Sequence, residues 1–310
     1  MSPEFHKILL DRALMLKKTR LFFDEKNIIE VDPPHLVKHP SIDLHIESIP
    51  ASPFKNDIAH LHTSPEYMMK RLIAKGFENI YFLNHVFRKN EIGQKHNIEF
   101  TMLEWYRSNT NFQNFIDENI DLIKLFVKFK NFIKISYFDL FYEKFNLDIF
   151  KFFEKKDLID KCKDLNIQIS NIQNIEKSDL LNLLFDHFFE KFSKKDVLYL
   201  IYDFPTHEAA LAKISKKNGK KVAQRFEFFL NNQEIANGYF ELNDEKELRK
   251  RFEKIISIKK NLSLDEKFLK SINHIGDNLY GIAIGFDRLM MLRHSTQNIE
   301  DVIYCSYLNI

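Results

Sequence analysis

The sequence predicts an α+β fold, a mixed and mostly antiparallel sheet flanked by helices, on three observations. Residues 5–26 carry apolar side chains at the helical period, strand-like runs come in neighbouring pairs, and residues 111–195 form a helically spaced stretch without a glycine. With 310 residues, 45% of them hydrophobic, and no low-complexity linker or internal repeat, the chain is expected to form one mixed domain.

Taken in order, Ile8, Leu9, Ala13, Leu16, Leu21 and Phe22 mark an amphipathic helix whose pattern stops before Asn27. IIEVDPPHL follows as a short strand cut by Pro33 and Pro34, which lack the N–H of a central ladder. IAHLHT alternates like a strand, after which Ser64 supplies an N-cap and Pro65 the first turn of a helix running to Gly76. NIYFLNHVF and FTMLEWY read as antiparallel strands across a loop of about nine residues, longer than a hairpin needs, which assigns that loop a task. Residues 111–195 read as a helical insertion. Strands return at VLYLIYDF, VAQRFEFFL and EIANGYFEL, with a turn at Asn218-Gly219, before a charged helix over 243–260 and the closing pair GIAIGF and DRLMML.

Composition narrows the function classes. With 46 basic and 44 acidic residues the net charge is +2, against a protein that coats nucleic acid. Two cysteines, Cys162 and Cys305, make neither a disulfide framework nor a zinc ribbon, which favours a reducing compartment. No signal-peptide core or membrane-length apolar run is present, so a soluble cytoplasmic protein is expected. Average usage would give about 22 glycines in such a chain. There are 7, and neither a P-loop string nor a G-x-G-x-x-G fingerprint occurs, so any nucleotide must be held by other means.

Several features have more than one reading. Lys213, Lys216, Lys217, Lys220 and Lys221 suit either a polyanion-docking patch or a solvated hairpin tip. His60 and His62 share a strand face, but no further ligand stands at zinc-like spacing. Trp105 reads as core, and no Ser/His/Asp triad is indicated. Glu227, Glu234 and Glu241 recur on apolar strands, where Asn231-Asn232 forms a turn that resets the face. Such carboxylates suit Mg²⁺ held together with substrate phosphates, or an ammonium group. Arg88 ends a strand beside the long loop and Arg288 opens the last helix; a guanidinium clamps phosphate or stacks on a purine.

HTSPEYMMKRLIAKGF, FRKNEIGQKHNIEFTMLEWYR, RFEFFLNNQEIANGYFELND and GIAIGFDRLMML resemble the successive active-site signatures of the class II lysyl-tRNA synthetases. The N-terminal helix with EVDPP and Asp43-Leu-His45 is similar to the first motif of that class, the dimer interface, which implies a homodimer. The resemblance spans nearly the whole chain and implies the class II catalytic fold. No counterpart is expected of the anticodon-binding domain that precedes that fold in true lysyl-tRNA synthetases. A freestanding catalytic domain with TSPEY and TMLEWYR resembles the family of elongation factor P–(R)-β-lysine ligases, which implies an ATP-dependent ligase. The implied reaction activates (R)-β-lysine as an adenylate and transfers it to a lysine ε-amino group of elongation factor P, without tRNA.

By the same resemblance, Arg88 holds the α-phosphate, and Phe100 and Arg288 sandwich the adenine, Arg88 and Arg288 being the catalytic pair. Lys89, Asn90, His96, Asn97, Glu234, Ile235 and Gly285 complete the ATP contacts. Glu227 and Glu234 bind Mg²⁺. Glu241 and Tyr106 receive the side-chain ammonium of the substrate, with Ser64, Pro65, Glu66, Asn237 and Ala283 lining its pocket. Ala283 stands where lysyl-tRNA synthetases carry glycine, and one methyl in a tight pocket is worth about 1–3 kcal/mol of discrimination. Phe82 stands where they carry the glutamate for the α-ammonium; both changes imply a shifted amino group, and Phe82 also reads as plain strand packing. The sequence departs from the family at Lys89-Asn90, where FRNE is usual and Glu91 is the nearest replacement, and at Ile98 and Phe240. The alternatives are a minimal lysyl-tRNA synthetase, an amide ligase resembling asparagine synthetase, or an inactive binding paralogue.

Overall fold

The computed structural model describes residues 2–151, 154–169 and 171–310. The chain opens with α1 (Pro3–Asp24), whose N-cap Ser2 accepts the Phe5 N–H. Then come β1 (Ile29–Glu30), β2 (Leu36–Val37), β3 (Ile49–Ala51), β4 (Ala59–Leu61), α2 (Glu66–Ile73), β5 (Asn79–Phe87), β6 (Glu99–Ser108) and α3 (Phe112–Phe126). Next are β7 (Asn131–Ser136), α4 (Tyr137–Phe145), α5 (Lys155–Asp164), α6 (Lys177–Lys191), β8 (Val197–Phe204), β9 (Ile214–Lys217), β10 (Lys220–Leu230) and β11 (Gln233–Phe240). The last are α7 (Glu245–Ile258), α8 (Glu266–Ile272), β12 (Leu279–Gly285) and α9 (Phe286–Arg293). The elements group into two compact units, Met1–Val127 with Phe240–Ile310, and Lys128–Tyr239.

In the first unit β1 runs parallel to β5, and β5, β6 and β12 follow antiparallel. Side chains alternate across a strand, so one face of β6 carries Thr101, Leu103 and Trp105, and the other Phe100, Met102, Glu104 and Tyr106. Trp105 is fully buried, its ring centroid 5.3 Å from Phe23 of α1 and 6.1 Å from Phe115 of α3. Each such ring contributes about 1.5–3 kcal/mol by leaving water. A buried ion pair ties the same layer together: Arg12 of α1 lies 2.6 Å from Asp287 of α9 and donates to Thr101 Oγ1 at 2.7 Å. With α1, α3 and α9 on that side, Glu104 and Tyr106 belong to the opposite face. There α2 is held to α8 by Tyr67 stacked on Phe268 at 3.8 Å.

The expected cap of α2 moves by one residue. Pro65 is the N-cap, in helical geometry with no side-chain bond, while the Ser64 hydroxyl still accepts the Glu66 N–H at 3.1 Å. The helix ends at Ile73, and Gly76 closes the turn at φ 98°. IIEVDPPHL yields only the two-residue β1 and β2, as its prolines require.

In the second unit β7 is parallel to β8, and β8, β10 and β11 are antiparallel, with β9 against β10. Helices α4, α5 and α6 bury Leu140, Phe141, Leu158, Leu184 and Phe188 against Tyr199 and Ile201 of β8. The segment 111–195 is therefore not helical throughout. Asn131–Ser136 is a strand in register from Asn131↔Val197 to Ser136↔Tyr202, because Ile133 and Ile135 alternate toward that core and β8 offers an open ladder. Its first helix, α3, packs in the first unit. The turn expected at Asn218-Gly219 is present, both residues at positive φ (51° and 80°) between Lys217 and Lys220.

Candidate active site

The first unit builds a buried polar cluster on an apolar frame. Gly281 of β12 lies opposite Tyr106, and Ala283 opposite Glu104. A Cβ at Gly281 would sit 2.2 Å from Glu241 Oε1 and 2.5 Å from the Tyr106 ring, so only glycine lets these side chains pass over the strand. The Tyr106 hydroxyl donates to Glu104 Oε1 at 2.7 Å and the Ser64 hydroxyl to Glu104 Oε2 at 2.8 Å. Lys70, one helical turn beyond Glu66, is fully buried and places its ammonium 2.6 Å from both Glu66 Oε1 and Glu241 Oε2. Burial opposes its charge, but Glu241 and Glu66 outweigh that and hold it protonated. Burial, joined by Glu66, pushes Glu104 up to about 7. Burial also pushes Glu241 up to about 8, opposed by Lys70 and assisted by Glu66 and Glu104.

Phe82 of β5 is opposite Glu104 in register and buried, its ring 5.7 Å from His62 and 6.5 Å from His35. His60 and His62 use different partners. His60 Nδ1 meets Ser48 Oγ at 2.9 Å, and His62 Nε2 meets the His85 carbonyl at 3.1 Å. Burial depresses His62 to about 4, so the ring is neutral and donates from Nε2.

The loop 88–98 between β5 and β6 carries the second group of expected residues. The Arg88 guanidinium lies 5.1 Å over the Phe100 ring and 3.6 Å from Glu91, and its buried Nε makes no hydrogen bond. Arg288 of α9 folds its methylenes over Gly285, where a Cβ would meet them at 3.2 Å, and reaches His96 Nε2 at 3.0 Å. Arg88 with Phe100, and Arg288 with His96 and Gly285, are thus brought together. Lys89 points to Glu47 at 3.7 Å, and Asn90 turns the loop at φ 63°. Asn97 is buried: its Oδ1 accepts the Tyr307 N–H and its Nδ2 donates to the Glu99 carbonyl, so it braces the loop against the C-terminal segment.

In the second unit Asn231 and Asn232, at φ 50° and 62°, join β10 to β11. Pairing runs Leu230↔Gln233 and Phe229↔Glu234, then resumes at Phe228↔Ala236, leaving Ile235 as a bulge. Glu234, opposite Phe229, shares a face with Glu227, and the extra residue brings Asn237 rather than Ala236 opposite Glu227. Asn237 Oδ1 is buried and makes no hydrogen bond. That face forms a cavity of about 460 Å³ where Asp186, Glu190, Glu208, Glu227 and Glu234 surround Arg225. Arg225 binds Glu227 through Nε and Nη2, and burial still pushes Glu227 up to about 7, Arg225 opposing and Glu234 assisting.

Among the described residues no group of three or more His, Cys, Asp or Glu is placed to hold a metal ion. The acidic surplus around Glu227 and Glu234 fits Mg²⁺, which binds through one or two carboxylates and takes its other ligands from water and substrate oxygens.

A family model of the tRNA synthetases class II (D, K and N) matches residues 1–307. The chain belongs to this family. Within the class II synthetases it is 38% identical to the elongation factor P–(R)-β-lysine ligase of Avibacterium paragallinarum, over 97% of this chain and 95% of that protein. It is 36% identical to the proteins of the same name from Haemophilus influenzae (strain PittGG), over 96% and 94%, and Pasteurella multocida (strain Pm70), over 95% and 93%. Three polar residues of these clusters escape a reading of the sequence: Lys70 and Glu104 in the first unit and Arg225 in the second. Glu104 had a signal, a carboxylate between Leu103 and Trp105 in an apolar run. Lys70 and Arg225 read as ordinary surface charges.

Proposed function

We propose that the chain activates (R)-β-lysine with ATP and transfers the aminoacyl group to a lysine ε-amino group of elongation factor P. The observation that carries this reading is the cluster of buried Glu104 and Glu241 with half-buried Glu66 beside Gly281, a site for ammonium groups, walled by Phe82 and Ala283. The relatives named for this reaction match along nearly their whole length, which supports it further. Both units together are read as one class II catalytic domain that acts on a protein lysine and not on tRNA.

Activation needs no general base, because the substrate carboxylate attacks the α-phosphorus and pyrophosphate leaves. Arg88 stabilises charge on the α-phosphate oxygens, and Phe100 and Arg288 take the two faces of the adenine. His96 and Asn97, with Lys89, Asn90 and Gly285, position the nucleotide; Asn97 does so by fixing the loop. Glu241 with Tyr106 orients the side-chain ammonium, and Ser64, Pro65, Glu66, Asn237 and Ala283 shape the substrate pocket. Glu227 and Glu234, on one face of the β10–β11 hairpin, would hold Mg²⁺, with Ile235 beside them. When bound, the ion supplies positive charge to the phosphates. In the second step the uncharged acceptor amine attacks the acyl carbon and AMP leaves.

The protein is read as a cytoplasmic homodimer. In support, no helix among the described residues is long and apolar enough to cross a membrane, and α1 exposes Leu10, Leu14 and Leu21. The deciding experiment incubates the protein with ATP, β-lysine and elongation factor P. The factor should gain the mass of one lysyl group, and an unchanged mass sinks the reading. Ala283→Gly removes one methyl opposite Glu104 and is expected to shift the β-lysine to α-lysine preference by about 5- to 100-fold toward α-lysine, measured as pyrophosphate exchange.

A further inference from the structure

The cluster around Lys70 carries more negative charge than the chain balances. Helix α2 supplies Lys70 and Glu66, β6 supplies Glu104 and Tyr106, and Glu241 follows β11. The Lys70 ammonium touches one oxygen of Glu66 and one of Glu241, each at 2.6 Å. Glu104 takes its hydrogen bonds from the hydroxyls of Ser64 and Tyr106. Three carboxylates therefore face one ammonium. Glu241 Oε1 points to the space that Gly281 leaves by having no side chain.

We propose that Lys70 is a positioning residue for amino-acid recognition: a built-in cation that fixes Glu66 and Glu241 by one oxygen each. The pocket then lacks two positive charges, a deficit filled by a ligand with two ammonium groups as it displaces protons from the carboxylates. This inference rests on the reading of the cluster as the amino-acid pocket.

The physical basis is that like charges in a buried site cannot all ionise together. With Glu104 pushed up to about 7 and Glu241 to about 8, the empty cluster holds protons near neutral pH, and these belong to the group as a whole. An entering ammonium group favours the ionised carboxylates, and the displaced protons pass to solvent. The sign follows: the ligand binds the deprotonated cluster, so affinity rises as pH increases through 7 and 8. It falls again when the ligand's own ammonium groups lose their protons, near pH ~10.

The test is isothermal titration calorimetry of the full chain with β-lysine, α-lysine and 6-aminohexanoate, which has one ammonium group, in buffers of different ionisation enthalpy. At pH 7 the lysines should release about one proton per site and bind about a hundredfold more tightly at pH 8 than at pH 6. 6-Aminohexanoate should bind at least about tenfold more weakly and release fewer protons. Lys70→Met, checked for folding by circular dichroism, should bind lysine about tenfold more weakly at pH 7 and displace the pH profile upward. Lysine binding with no buffer dependence overturns the proposal, whether or not the variant folds. So does a folded Lys70→Met with an unchanged pH profile. Neither ATP nor the acceptor is present, so failure to modify elongation factor P leaves this result standing. Modification without proton release sinks the role of Lys70 alone.

Discussion

Gly281→Ala is expected to abolish amino-acid recognition while the protein remains folded. The backbone of β12 at this position is one that alanine adopts, so the substitution tests space alone. The new methyl would sit 2.2 Å from Glu241 Oε1 and 2.5 Å from the Tyr106 ring, and both must move. These are the groups assigned to the substrate ammonium, and overpacking of this kind costs about 1–3 kcal/mol before any hydrogen bond is lost. The second-order constant for β-lysine in pyrophosphate exchange should fall at least about a hundredfold. The KM for ATP should stay within about twofold, since Arg88, Phe100 and Arg288 are untouched. A variant that binds β-lysine normally would remove Gly281 from the pocket.

The largest expected effect on stability comes from Asp287→Ala. Asp287 and Arg12 are 2% and 5% exposed, and the pair is closed on all sides. Arg12 donates to Asp287 Oδ1, to Thr101 Oγ1 and to the Val302 carbonyl, and Asp287 Oδ2 accepts the Thr101 N–H. Removing the carboxylate strands a buried guanidinium and a backbone N–H. Truncating one partner of a buried pair costs about 3–5 kcal/mol. Urea unfolding should report a loss of this size, and the double variant Arg12→Met, Asp287→Leu should recover most of it, because replacing both charges leaves neither one stranded. A loss below about 1 kcal/mol for the single variant would mean that the pair is solvated in solution.

What the sequence made legible follows from the range of the interactions involved. The strands at 79–87, 197–204 and 233–240 were readable because short runs rich in apolar, β-branched and aromatic residues are a local property, and the turns at Asn218-Gly219 and Asn231-Asn232 because left-handed backbone has its own residue preferences. β7 was not readable, since six residues between helices carry too little periodicity; its pairing with β8 depends on a partner more than 60 residues away. The fold class and the arginine-bearing elements were legible through the motif strings. Lys70 was not: four residues after Glu66 on a helix it looks like a surface pair, and the partner that buries it, Glu241, is 171 residues distant. Arg225 is hidden in the same way, because its neighbours Glu208 and Phe204 are set by tertiary packing. Asn97 shows the converse. Its place in the loop was visible, but the hydrogen bond from Tyr307 that ties it down was not.

The bulge at Ile235 restricts β11 in length more than in chemistry. A strand counts residues in twos, and Ile235 is the one that goes uncounted, which lets Glu234 and Asn237 share a face at a spacing of three. Many apolar side chains can fill that buried position, so its identity is loosely held. The number of residues between the Asn231-Asn232 turn and Asn237 is held tightly, since a gain or loss of one would invert every side chain from Asn237 through Tyr239. In a lineage of such proteins, this hairpin should drift by substitution while insertions and deletions are confined to the loops outside it.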